Sequence, residues 1–209
     1  MIGFYDYTVL LTYLGFASSM TGIFLAITGH IFPAILCLMF SGLCDMFDGK
    51  VARTKKRRTS DEKHFGIQLD SLSDLVCFGV LPSVIGFSLG INRPEMLPIL
   101  IFYPLAALIR LAYFNVLEIN RNSNAPVKAY TGLPVTSSAL IFPFIYIFRK
   151  LLGEYFVLVY GIMLVVVAAL FISKIKIKKP NIRIMILFIL LGVIEIILII
   201  TVRRFLWNM

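Results

Sequence analysis

Four aspartates stand at the ends of apolar runs, Asp45 and Asp48 in CDMFDGKVAR (44–53) and Asp70 and Asp74 in FGIQLDSLSD (65–74). On a helix turning about 100° per residue, the i, i+3 pair lies roughly 60° apart and the i, i+4 pair about 40° apart. Each pair therefore shares one helical face. If the two runs are consecutive antiparallel helices, four carboxylates converge at one depth. A lone carboxylate at mid-bilayer costs about 2.5–3.5 kcal/mol on the insertion scale, and neighbouring carboxylates also repel one another. Hard divalent cations such as Mg²⁺ or Mn²⁺ relieve both penalties, taking carboxylate oxygens while leaving positions open for phosphate. Two such ions about 3.5–4 Å apart are a recurring arrangement for displacement at phosphorus. The competing reading is an interfacial patch of aspartates reaching water, which suits Asp61 and Glu62 in the intervening polar stretch better than the spaced pairs.

Small residues border the acids. Gly49 and Gly66 carry no side chain, so a nucleotide's sugar or base can approach the helix backbone there. Ala52 extends the small surface, and Arg53, one turn past Gly49, can offer a planar fork to phosphate.

The elements that must position these groups are membrane helices. The 209-residue chain is 59% hydrophobic and 15% charged, against about 45–50% and 25% for a soluble domain. Seven apolar segments, at about 8–29, 31–49, 67–91, 97–117, 132–148, 155–173 and 184–202, are long enough to be read as spans. None has the dyad alternation of a membrane barrel. The first has too few preceding basic residues for a cleaved signal peptide. The expectation is one all-α, polytopic membrane domain over residues 1–209, with no soluble domain.

The net charge of +9 is concentrated in loops: seven basic residues between Lys50 and Lys63, Arg121 and Lys128, and five between Lys174 and Arg183. The positive-inside rule places these loops and the N-terminus in the cytoplasm, and seven spans then place the C-terminus outside. Such loops suit anionic headgroups or phosphorylated ligands. No aromatic-interleaved basic module supports nucleic acid as a partner. The segment SKIKIKKPNIR (173–183) reads as lying along a headgroup layer, and Pro126 interrupts the 118–130 loop. Cys37, Cys44 and Cys77 have no metal-ligand or disulfide spacing and read as small buried hydrophobes.

The arrangement D45-x-x-D48-G49-x-x-A52-R53, then G66-x-x-x-D70-x-x-x-D74, resembles the signature of the CDP-alcohol phosphotransferases, with a longer gap between arginine and glycine than that family's commonest spacing. The resemblance covers about residues 8–180, a six-span core, with the span at 184–202 additional to it. It implies that Asp45, Asp48 and Asp70 hold a pair of Mg²⁺ or Mn²⁺ ions, with Ca²⁺ as a non-productive occupant. It makes Asp74 the general base with some metal contact, and it places Asp48, Gly49, Ala52, Arg53 and Gly66 around the nucleotide. The implied reaction is attack by an alcohol hydroxyl on the β-phosphorus of a CDP-linked lipid, releasing CMP, in a homodimer embedded in membrane lipids with its active site at the cytoplasmic face.

Within the family, FGIQLDSLSDLVCFGVLPS, IRLAYFNV (109–116), YTGLPVTSSA (130–139) and ISKIKIKKP (172–180) are most similar to the serine-using branch. Glycerophosphate-using relatives tend to carry proline and lysine where this chain has Ser71 and Leu75. The resemblance thus implies CDP-diacylglycerol and L-serine as substrates, with glycerol phosphate, inositol or inositol phosphate as alternative acceptors. Arg110, inside the fourth span, is a candidate for the lipid-side phosphate or the serine carboxylate; the alternative is pairing with an aspartate. Thr131, Gly132 and Pro134 open the fifth span, as a ligand-facing backbone or an ordinary proline helix start. Asn115 is a candidate polar neighbour. The family's early Asn-x-x-Thr pattern is missing from span one, which offers only Thr12, Ser18, Ser19 and Thr21. A reading from another class, a small cation transporter, needs acids continuing across the membrane and repeat symmetry. Glu195 is the only other acid inside a span.

Overall fold

The computed structural model describes residues 3–55, 57–119, 129–178 and 182–207. Lys56, Arg121, Pro126, Lys128, Lys179 and Pro180 lie outside the described residues, as does the Arg203 side chain. The helices are α1 (Leu10–Ile27), α2 (Ile31–Ala52), α3 (Ser60–Asp74), α4 (Leu81–Leu89), α5 (Leu97–Ile119), α6 (Ser138–Ile147), α7 (Arg149–Leu152), α8 (Phe156–Phe171) and α9 (Ile182–Trp207). A π-helical stretch, Leu75–Val80, joins α3 to α4 into one 30-residue helix, Ser60–Leu89. Among the described residues, six helical stretches are long and apolar enough to cross a membrane. The chain is a multi-pass helical membrane protein.

The fifth predicted span differs. Residues 132–148 yield an apolar helix only over Val135–Ile147, about 20 Å at 1.5 Å per residue. Gly132 has φ +74° and Pro134 is extended, with ψ 136°, so the helix cannot start earlier. The third span also starts sooner than expected. Thr59 and Glu62 form a reciprocal capping box that begins α3 at Ser60, so Asp61 and Glu62 belong to a helical first turn. The basic stretch expected to lie along headgroups instead pairs: β1 (Ala129–Thr131) and β2 (Lys176–Lys178) form a short antiparallel ladder, Tyr130 opposite Ile177.

Close packing of α1 on α2 follows from small residues. A Cβ on Gly22 would come within 2.9 Å of Cys37 Cβ, and one on Gly15 within 3.3 Å of Cys44 Cβ. Ser41 Oγ lies 2.8 Å from Ser19 Oγ and donates to the Gly15 carbonyl at 2.8 Å. The core centres on Tyr103, Phe142, Tyr160 and Phe171, rings 5.1–5.6 Å apart where they touch. The outer surfaces of α5, α8 and α9 expose rows of Leu, Ile and Val suited to lipid. Helix α9 packs on α6 and α2 and buries Glu195, whose Oε2 has no hydrogen-bond partner among the described residues.

Proline placement explains several buried hydroxyls. Pro82 and Pro104 each lack an N–H, which deprives the carbonyl four residues earlier of its helical donor. Tyr103 Oη donates to that carbonyl of Phe78 at 3.0 Å, and Ser83 Oγ to that of Leu100 at 2.7 Å. Polar backbone left unpaired at membrane depth is costly. Tyr103→Phe is therefore expected to destabilise the protein by about 1–3 kcal/mol, read as a lower melting temperature in detergent.

At the end of the bundle that carries the aspartates, the N-terminal segment clasps the α2–α3 loop. Lys55 Nζ pairs with Asp6 at 2.7 Å and Glu62 at 2.9 Å, and Tyr7 Oη lies 3.1 Å from Thr54 Oγ1. Hydrogen bonds from Lys55 and Thr8 hold the Asp6 carboxyl down at about 2, so the clasp stays ionised throughout the physiological range.

Candidate active site

The chain reverses direction so that the C-terminal end of α2, the C-terminal end of α3, the N-terminal part of α1, the C-terminal part of α5 and the entry to α6 come together. Asp45, Asp70 and Asp74 each offer a carboxylate oxygen within 4.8 Å of the others. Asp48 stands beside Asp70, and Asp45 beside Asp74. Asp48 and Asp74 are buried, while Asp45 and Asp70 are half-buried. The spaced pairs thus converge across two helices as expected. This donor set consists of hard oxygens only, which fits a hard divalent cation and not a soft one.

Two threonines join the acids. Thr136 Oγ1 donates to Asp45 Oδ2 at 2.8 Å, and Thr12 Oγ1 to Asp48 Oδ2 at 3.1 Å. Each orients a carboxylate by occupying one oxygen. Thr136 was not singled out by its sequence, and the departure of span one from the family pattern obscured Thr12. Neither has a spacing signature, because the partners are 91 and 36 residues away.

The motif glycines differ. A Cβ on Gly49 would meet only Arg53 Nη2, at 4.0 Å, so open space lies beside α2 there. One on Gly66 would lie 2.9 Å from Arg58 Nη2. Ala52 is half-buried and Arg53 is exposed at the end of α2.

Asn115 bridges α5 to the motif helix: its Oδ1 accepts from Ser71 Oγ at 2.6 Å and its Nδ2 donates to Gln68 Oε1 at 3.3 Å. Arg110 is buried, with its guanidinium 4.6 Å from the Phe114 ring centre. Its Nη1 donates to the carbonyls of Thr131 at 2.8 Å and Phe171 at 3.4 Å. Through these two bonds Arg110 joins α5 to β1 and the end of α8. The backbone of the Gly-Leu-Pro entry is likewise engaged: Gly132 N–H donates to Ile175 at 2.7 Å and Leu133 N–H to Leu170 at 3.0 Å.

This stitching sets the position of Thr136, four residues beyond Gly132. A Cβ on Gly132 would come 2.5 Å from the Phe171 oxygen and 2.8 Å from Arg110 Nη1, at a φ that L side chains rarely adopt. Gly132→Ala is expected to cost about 2 kcal/mol or more, seen as a lowered melting temperature.

Residues 8–173 match the CDP-alcohol phosphatidyltransferase family. The chain is 36% identical over 153 residues to a CDP-diacylglycerol–serine O-phosphatidyltransferase of Saccharomyces cerevisiae, covering 69% of this chain and 54% of that protein. It is 32% identical over 174 residues to an archaetidylserine synthase of Methanothermobacter thermautotrophicus, covering 82% and 69%. It is 33% identical over 145 residues to a CDP-diacylglycerol–serine O-phosphatidyltransferase of Methanocaldococcus jannaschii, covering 69% and 63%. The match thus spans about half the length of the yeast relative and under two thirds of the Methanocaldococcus one. With four fifths of the chain matched by the family model, the chain belongs to the CDP-alcohol phosphatidyltransferase family.

Proposed function

We propose that this protein transfers the phosphatidyl group of CDP-diacylglycerol to the hydroxyl of L-serine, giving phosphatidylserine and CMP. The observation that carries this reading is the convergence of Asp45, Asp48, Asp70 and Asp74 at one end of a membrane bundle, three of them with oxygens within 4.8 Å. Serine as acceptor is supported by the names of the relatives, which specify serine. The same reading assigns Asp45, Asp48 and Asp70, with contact from Asp74, to a pair of Mg²⁺ or Mn²⁺ ions. When bound, these ions neutralise the pyrophosphate and stabilise the departing CMP.

The protein's own groups do the rest. Thr136 and Thr12 each fix one oxygen of Asp45 and Asp48 and so hold the acids' orientation. The open backbone at Gly49, with Ala52, Arg53 and Gly66, receives the nucleotide. Asp74 accepts the proton as the serine Oγ forms its bond to the β-phosphorus. The bond from that phosphorus to the CMP oxygen breaks, and the electron pair leaves with CMP. Arg110, Thr131 and Asn115 border the lipid phosphate and the serine carboxylate. The basic residues between Lys50 and Lys63, next to the aspartates in sequence, support a site at the cytoplasmic face under the positive-inside rule, and the family resemblance supports a homodimer.

The test is CMP release by purified protein with CDP-diacylglycerol and Mn²⁺ or Mg²⁺, across L-serine, glycerol 3-phosphate, inositol and inositol phosphate. Release with serine alone is the expected result. Release with another acceptor keeps the metal site and removes serine. No metal-dependent release from folded protein favours a cation-transporting or inactive role.

A further inference from the structure

The loop between α2 and α3 holds a guanidinium that the reaction described above does not use. Arg58 lies two residues before the start of α3 and folds back over that helix. Its Nη2 donates to the Glu62 carbonyl at 3.3 Å, a long bond, and sits 2.9 Å from where a Cβ of Gly66 would be. Its Nε is buried with no hydrogen-bond partner among the described residues. A buried guanidinium N–H left unpaired is costly, and the Nε–Nη edge of arginine is the fork that takes two oxygens of one phosphate.

Gly66 therefore does more than leave a gap: its missing side chain is the space in which Arg58 lies. Glycine and arginine fit together, and the unpaired edge belongs to a side chain held directly against the motif helix, one turn before Asp70. On the opposite helix Arg53 lies beside Gly49 in a looser version of the same pairing, 4.0 Å from the would-be Cβ. A planar guanidinium fork beside the acids would add a second, directional contact to the nucleotide's own phosphate, which is gripped in the substrate and released as CMP.

We propose that Arg58 is a binding residue for the nucleotide-side phosphate of the CDP-lipid, seated by Gly66, a role that rests on the phosphatidyltransferase reading. The probe is CMP itself, with cytidine as the phosphate-free control, binding to the full-length protein in detergent with Mn²⁺ present. Arg58→Gln is expected to weaken CMP about tenfold or more and to leave cytidine within about twofold, because only the phosphate loses a partner. Arg58→Lys keeps the charge but not the fork and is expected to recover only part of the loss. In turnover, the KM for CDP-diacylglycerol rises in step while the KM for serine stays unchanged.

Unchanged CMP binding in both variants, with wild-type binding intact, would overturn the role of Arg58 alone. Equal weakening of CMP and cytidine would overturn the assignment to phosphate. Wild-type protein that binds no CMP would overturn the nucleotide site and Arg58's part in it together. Melting temperatures of both variants separate loss of binding from loss of fold, and Arg58→Lys provides a reading if Arg58→Gln does not fold.

Discussion

Asp74→Asn is expected to leave a protein that binds CDP-diacylglycerol and fails to turn it over, with kcat down by about 10²–10⁴-fold, the usual worth of a general base. Asn keeps the size and one acceptor oxygen but cannot take the serine proton. Asp74 is buried against Asp45 and Asp70, so its replacement also removes a negative charge from the cluster, and a modest weakening of metal binding accompanies the loss. Asp70→Asn differs in kind. Asp70 stands beside Asp48 and shares the three-oxygen cluster, so this change is expected to raise the Mn²⁺ concentration needed for substrate binding as well as to lower kcat. Metal titrations of substrate binding, run beside single-turnover rates, separate the two. Normal activity in either variant would remove these roles.

Chelation is the second large effect. Four carboxylates at the end of two apolar helices repel one another without counter-charge, and no described lysine or arginine forms an ion pair with them. Protein treated with EDTA and then freed of it is expected to lose essentially all CMP release. Mg²⁺ or Mn²⁺ should restore it, while Ca²⁺ occupies the acids and does not. Ions that bind only the folded state also add stability in proportion to the logarithm of their concentration. The melting temperature should therefore fall on chelation and rise with Mn²⁺ in wild type, with a smaller rise in Asp70→Asn. Full activity after metal removal would contradict the assignment of the four acids.

The acids were legible in the sequence because helical spacing is local: i, i+3 and i, i+4 pairs share a face whatever surrounds them. Their partners were not, since Thr12 and Thr136 reach Asp48 and Asp45 only after α1 and α6 have packed against α2. The early start of α3 was present in Thr59-x-x-Glu62, a capping box hidden among basic residues that read as loop. The ladder of Lys176–Lys178 with Ala129–Thr131 was also written locally, since KIKIK alternates with the period of a strand, but its partner is three residues long and far away in sequence. The shortness of the fifth apolar helix follows from Gly132 and Pro134, whose conformations depend on contacts with Phe171 and Arg110 that no local pattern reveals.

The most direct test of the central claim is to follow the serine oxygen. Purified protein with CDP-diacylglycerol, Mn²⁺ and L-serine labelled with ¹⁸O in its hydroxyl is predicted to give phosphatidylserine carrying the label in its phosphodiester and CMP carrying none. CMP formed without labelled phosphatidylserine would contradict displacement at phosphorus by serine.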